Sequence, residues 1–261
     1  MVSCFVSIFQ RYKGNIKIIN PYEKARIYIN QHSIDDEKAA RRKQHPGPTI
    51  TISRETGIGA SAICESLVRL FNQHAIEEYK DWVYFDRDLI EKIMEDHHLP
   101  EHFRKFLKEE KPAKSTWVGE MIGVSPAGIS ILRKTSQTIK KIAEYGNSII
   151  VGRGSNIILE KRPNTFHIRL VAPLSFRIEN AMKLYNQDRR TISEFIKEED
   201  TARRNYILKY FHRHIEDPLI YHTVINVDLL EIEEIAHMIA HCVIKRFPHF
   251  FTGKEKNYIN E

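Results

Sequence analysis

Gly57 and Gly59 follow a β-branched run, Thr49-Ile-Thr-Ile-Ser53, and precede Ile63, Leu67, Leu70 and Phe71 at helical spacing. A strand, a glycine turn and a helix start in that order can cradle an anion. Successive backbone N–H groups point at it from the helix N-terminus, and glycine lets the backbone come close. The chemistry is phosphate binding, with Arg54, Thr56, Gly57, Ile58, Gly59, Ala60, Ser61 and Ala62 as the candidate ligands.

Further charged residues sit at the ends of other strand-like runs. Asp86-Arg87 follows Trp82-Val-Tyr-Phe85, and Arg153 stands between Gly152 and Gly154 after Ser148-Ile-Ile-Val151. Arg189-Arg190 and Arg203-Arg204 bracket a segment containing Glu194, Glu198, Glu199 and Asp200. A guanidinium is planar, charged at all relevant pH and bidentate, which suits it to phosphate oxygens. Plainer readings stay open beside these: Asp86 as a helix N-cap with Arg87 on the surface, Arg153 as a solvated turn residue, and Glu199–Arg203 as an i,i+4 ion pair.

Other chemistries find no pattern. There is no Gly-x-Ser-x-Gly elbow for a nucleophilic serine. Cys4, Cys64 and Cys242 are scattered without CxxC spacing, and the thirteen histidines form no HExxH, so neither a disulfide frame nor a metal site is expected. No apolar run approaches the roughly 20 residues that span a bilayer. The apolar start, Met1 to Phe9, lacks a basic leader. The expectation is a soluble, cytoplasmic protein with reduced thiols. A net charge of +6 favours anionic partners. The arginines are scattered and no RNA-binding signature is present, which leaves an RNA-binding module as a weaker alternative.

Five short strands are expected at Thr49–Ser53, Trp82–Phe85, Ser148–Val151, Thr165–Val171 and Tyr221–Val227, each feeding a helix. Such alternation predicts an α/β fold with a parallel five-stranded sheet flanked by helices, ligands binding beyond the strands' carboxyl ends. Residues 1–47 read as an N-terminal extension, helical over Pro21–Arg42 and closed by His45-Pro-Gly-Pro48. It is the candidate surface for a homo-oligomer. Residues 48–247 form the main domain, with a helical lid at about 186–214, and 248–261 a tail.

From Pro48 to Phe247 the chain resembles the cytidylate kinase-like proteins of the P-loop nucleoside monophosphate kinase group. The resemblance rests on Ile52-Ser-Arg-Glu-Thr-Gly-Ile-Gly59, Tyr84-Phe-Asp-Arg-Asp-Leu-Ile90, Val151-Gly-Arg-Gly-Ser-Asn156, Ala172-Pro173 to Arg177, and Asp200-Thr-Ala-Arg203. It implies a P-loop NTPase-type sheet, ATP and Mg2+ at the first turn, and ATP-dependent phosphoryl transfer to a small acceptor such as a nucleoside monophosphate. Asp86, Arg87 and Arg153 would hold the acceptor, and Arg203 with Arg204 would act on the transferring group as catalytic residues. Two positions depart from the standard loop: Ala60 replaces its lysine and Ala62 its magnesium-binding Ser or Thr. That departure supports the alternative of a nucleotide-binding regulatory protein without catalysis. The cytidylate kinase-like branch commonly departs there too, and Arg54 or a lid arginine can supply the charge.

Overall fold

A computed structural model of the chain describes residues 27–29, 45–86 and 126–251. Arg87, the helix expected from Asp88, the charged segment 100–114 and the tail beyond Phe251 lie outside the described residues.

The strands are β1 (Thr49–Arg54), β2 (Val83–Phe85), β3 (Ser148–Val151), β4 (Thr165–Val171) and β5 (Thr223–Asn226). They form one sheet in the order β2-β3-β1-β4-β5, and every pairing is parallel. This is the P-loop kinase arrangement, with β1 central. The helices are α1 (Ala60–His74), α2 (Pro126–Tyr145), α3 (Ser155–Ile158), α4 (Leu174–Tyr185), α5 (Arg189–Phe211) and α6 (Ile232–Arg246). The segment expected as a lid is, for the most part, one helix of 23 residues.

The alternation Thr-Ile-Thr-Ile-Ser-Arg in β1 gives its two faces different tasks. Ile50 and Ile52 join Ile168 and Leu170 of β4 in a dry core against Ile63 and Leu67 of α1 and Ile235 and Ile239 of α6. At roughly 1.5–3 kcal/mol per buried aliphatic side chain, this face fixes the strand register. The opposite face is polar. Thr51 reaches His167, and Ser53 accepts from Arg169. A second cluster covers the β2–β3 edge, where Phe85 and Ile150 meet Ile139 and Ile142 of α2. Tyr28 and Ile29, from the N-terminal extension, are buried in that cluster, and the Tyr28 hydroxyl donates to the Gly146 carbonyl.

His167 is 5% exposed, with the hydroxyls of Thr51 and Thr165 at 2.8 and 3.3 Å from its ring nitrogens. Burial, then the nearby His222 and Arg246, brings its pKa from 6.5 down to about 4. The folded state thus disfavours the imidazolium. Stability is complete above pH 6.5 and is lost as the pH falls towards 4, by on the order of 3 kcal/mol. Denaturant unfolding across that range should show this slope, and His167→Gln should flatten it. An unchanged slope in the variant would assign the acid sensitivity elsewhere.

Candidate active site

The turn from Glu55 to Gly59 is built by its neighbours. The Glu55 amide donates to the Leu170 carbonyl at 3.2 Å, and the Glu55 carboxylate accepts from the Ala172 amide at 2.9 Å. Arg177 of α4 is 8% exposed. It donates to the Ala172 and Thr56 carbonyls at 3.1 and 3.2 Å and pairs with Glu55 at 3.4 Å. Asn180, one helical turn on, donates to the Gly57 carbonyl at 2.7 Å. Arg177, which sequence alone leaves between surface and site, is therefore a buried strut beneath the turn.

Gly57 and Gly59 both have positive φ, +89° and +76°. A Cβ on Gly57 would lie 2.5 Å from the Arg177 carbonyl oxygen, a backbone atom that cannot move aside. Gly59 is the N-cap of α1 with no side-chain cap, and the first turn of α1 carries no acidic residue. The Ala62 amide donates back to the Gly59 carbonyl at 3.2 Å, and those of Ala60 and Ser61 have no intrahelical acceptor. They remain available to an anion, with the helix dipole in its favour.

Helix α5 is fastened to this turn through Asp200 and Arg203. The Thr56 amide and hydroxyl donate to Asp200 Oδ1 at 2.9 and 2.6 Å, while Arg177 Nη1 donates to Oδ2 at 2.6 Å. Arg203 Nη1 donates to the Thr56 hydroxyl at 2.7 Å. The i,i+4 pairing of Arg203 with Glu199 is present as well, at 3.3 Å.

Beside the turn, at the carboxyl ends of β1 and β3, lies a cavity of about 100 Å³ bounded by Arg54, Arg153, Ser155, Asn156, Arg203 and Tyr206 among others. Arg153 has φ +56° and is 9% exposed. Two glycines make the cavity's floor. A Cβ on Gly152 would come within 2.4 Å of Arg54 Nη1, and one on Gly154 within 2.7 Å of the Phe211 ring. Burial, then Arg203, drives the Arg54 pKa from 12.5 down to about 9, and Arg153 adds to the effect. Arg54 remains charged at neutral pH. Its environment would favour an anion. Burial raises the Tyr206 phenol to about 12, which keeps it a hydrogen-bond donor.

The structure thus brings Arg54, Arg153 and Arg203 to one cavity next to Thr56, Gly57, Ile58 and Gly59. Ala60, Ser61 and Ala62 form the first turn of α1 and bring backbone amides but no cation. Asp86 directly follows β2 and lies close enough to Arg54 to favour its charged form. Arg204 points to a second cavity and pairs with Glu216 at 2.7 Å. Sequence reasoning missed Glu55, Asn180, Asn156 and Tyr206. Only Asp200 carried a local signal, its place three residues before Arg203. Cys64 is fully buried, which raises its thiol pKa to about 12. Among the described residues no cluster of three or more His, Cys, Asp or Glu could hold a metal ion. No helix among them is long and apolar enough to cross a membrane.

The profile of the cytidylate kinase-like family matches residues 49–229. No curated protein matches the chain. Among solved structures, an uncharacterized protein from Eubacterium ventriosum aligns at 20% identity and a TM-score of 0.57, over 76% of this chain and 98% of that one. The shikimate kinase of Bacteroides thetaiotaomicron aligns at 13% identity and a TM-score of 0.42, over 75% and 98%. That of Acinetobacter baumannii, in complex with shikimate, aligns at 11% and 0.40, over 77% and 94%.

The two turn glycines should respond differently to alanine. Gly57→Ala meets fixed backbone, whereas Gly59→Ala meets the Asn180 side chain at 3.2 Å, which can yield. Both incur positive-φ strain of roughly 1–3 kcal/mol. Gly57→Ala should be the less stable by a further ~1 kcal/mol or more and should bind ATP at least tenfold more weakly. Thermal unfolding and calorimetry with ATP check both. Equal effects of the two variants would contradict the strut geometry.

Proposed function

We propose that this chain, which belongs to the cytidylate kinase-like family, transfers the terminal phosphoryl group of ATP to a small anionic acceptor, a nucleoside monophosphate such as CMP foremost. The observation that carries this reading is the convergence of three guanidiniums, Arg54, Arg153 and Arg203, on one cavity beside an anion-binding turn. Such transfer needs positioning and charge stabilisation more than covalent chemistry. The amides at Gly57–Ser61 suit the donor phosphates. Arg153, with Ser155 and Asn156, suits the acceptor phosphate. Arg203, already seated on Thr56, is placed to meet charge as it moves between them.

The donor set at the turn fits ATP. Magnesium would be held mainly by the nucleotide's own phosphates and its water shell, as is usual for this ion, with the Ser61 hydroxyl and Asp86 as the nearby protein oxygens. When bound, it neutralises charge on the phosphate chain. A second reading, a nucleotide-binding protein without catalysis, is favoured by Ala60 and Ala62. Loss of one fixed cation at the transition state costs about 3–4 kcal/mol. Arg54 and Arg203 supply the replacement in the first reading.

The test is incubation of the full chain with MgATP and a panel of nucleoside monophosphates, with diphosphate product measured. Arg153→Ala should raise the acceptor KM about tenfold, because it acts on bound acceptor. Arg203→Ala should lower kcat about a hundredfold, because it acts on developing charge. ATP binding with no diphosphate from any acceptor would favour the regulatory reading. Small, equal kinetic effects joined to salt-sensitive RNA binding would favour an RNA-binding module.

A further inference from the structure

Behind the Arg54–Arg203 side of the acceptor cavity lies a second, smaller cavity of about 80 Å³, on the β4 side. Five guanidiniums bound it, those of Arg54, Arg169, Arg177, Arg203 and Arg204, against three carboxylates. The carboxylates are already engaged. Glu55 and Asp200 pair with Arg177, and Glu216 pairs with Arg204 at 2.7 Å.

Arg169 is left without a carboxylate. It projects from β4 on the polar face of the sheet, is 6% exposed, and donates to the Ser53 hydroxyl at 2.8 Å. The Tyr221 hydroxyl lies 3.3 Å from the same Ser53 hydroxyl and donates to the Ile215 carbonyl at 2.9 Å. Among the described residues no carboxylate lies within ion-pair distance of Arg169; Glu216 feels its charge only from farther off. A buried guanidinium held by neutral hydroxyls alone is costly. A charge-assisted, bidentate contact to an oxyanion is what the fork geometry of arginine matches. The cavity has room for such a group, since a single water needs only about 10–15 Å³.

We propose that this second cavity is an oxyanion subsite, in which Arg169, Arg54 and Arg204 hold a phosphate group distinct from the donor's phosphates on the turn and from the acceptor phosphate beside Arg153. The group is either a second phosphate of the acceptor or free inorganic phosphate. The subsite does not rest on the phosphoryl-transfer reading, because phosphate binding is measured without nucleotide.

Calorimetric titration of the full chain with sodium phosphate at fixed ionic strength tests it. Arg169→Gln should weaken one binding event at least tenfold, and Arg153→Gln should leave that event intact. Glu216→Gln, which removes a competing carboxylate from the half-exposed rim, should tighten it severalfold, while Arg204→Gln should weaken it. These two rim variants carry the test should Arg169→Gln fail to fold. A folded Arg169→Gln protein that binds phosphate like the parent, or a Glu216→Gln protein that binds no tighter, overturns the proposal. A nucleoside 3′,5′-bisphosphate identifies the source. Arg169-dependent tightening over the monophosphate assigns the subsite to the acceptor. Arg169-dependent binding of inorganic phosphate in the presence of saturating monophosphate assigns it to the free ion. Absence of both contradicts the subsite, and the diphosphate assay reports separately on catalysis.

Discussion

The carboxylate of Asp200 ties together the three elements on which the site depends. One oxygen takes both the amide and the hydroxyl of Thr56 in the turn, and the other takes Arg177 of α4, while Asp200 itself belongs to α5. Charge-assisted hydrogen bonds of this kind are about twice as strong as neutral ones. Here they are half-withdrawn from solvent, so screening weakens them less than at the surface. The turn keeps its shape because Arg177 and Asn180 hold its carbonyls from below. Arg203 keeps its place because the Thr56 hydroxyl, having given its proton to Asp200, has a lone pair left to accept from it.

In the proposed reaction the usual lysine has a substitute. A loop lysine is a mobile cation on the turn itself. Here the turn carries alanine, and the cations come from outside it, from the end of β1, the β3 turn and α5. Arg54 lies across Gly152, where only the absence of a Cβ permits it. Burial, and then the like charges of Arg203 and Arg153, raise the energy of the charged Arg54, as its lowered pKa records. Glu199 and Asp200 pair with Arg203, at 3.3 and 3.7 Å, and offset part of this cost; an incoming phosphate would offset more.

Much of this was legible in the sequence, and the remainder was hidden for definite reasons. The strands, their parallel order of use and the glycine turn follow from local patterns of β-branched and helical spacing. The cation at Arg153 was legible because glycines flank it, and Glu199–Arg203 because helical spacing pairs them. Arg169 was not: inside Thr-Phe-His-Ile-Arg-Leu-Val it reads as one of three alternating polar residues, and its partner Ser53 is 116 residues away. The two-faced character of β1 is written in its alternation. What lies on the polar face is decided by β4 and Tyr221, which only the fold brings near. Tyr28 and Ile29 belong to a ragged apolar stripe without clear period, yet both are buried against the β2–β3 edge. Position along the chain thus says little about membership of the core.

In the proposed site the gathered guanidiniums and the turn amides are completed together by a chain of phosphates. The most direct measurement is thermal unfolding of the full chain in sodium tripolyphosphate and in sodium chloride at matched ionic strength. At a hundredfold excess over Kd, binding stabilises by about 2.7 kcal/mol, which for a domain of this size raises Tm by roughly 5–10 °C. The account predicts a rise of that order, diminished when Arg54 or Arg203 is replaced by glutamine. Equal midpoints in the two salts, or a rise that survives both substitutions, would contradict it.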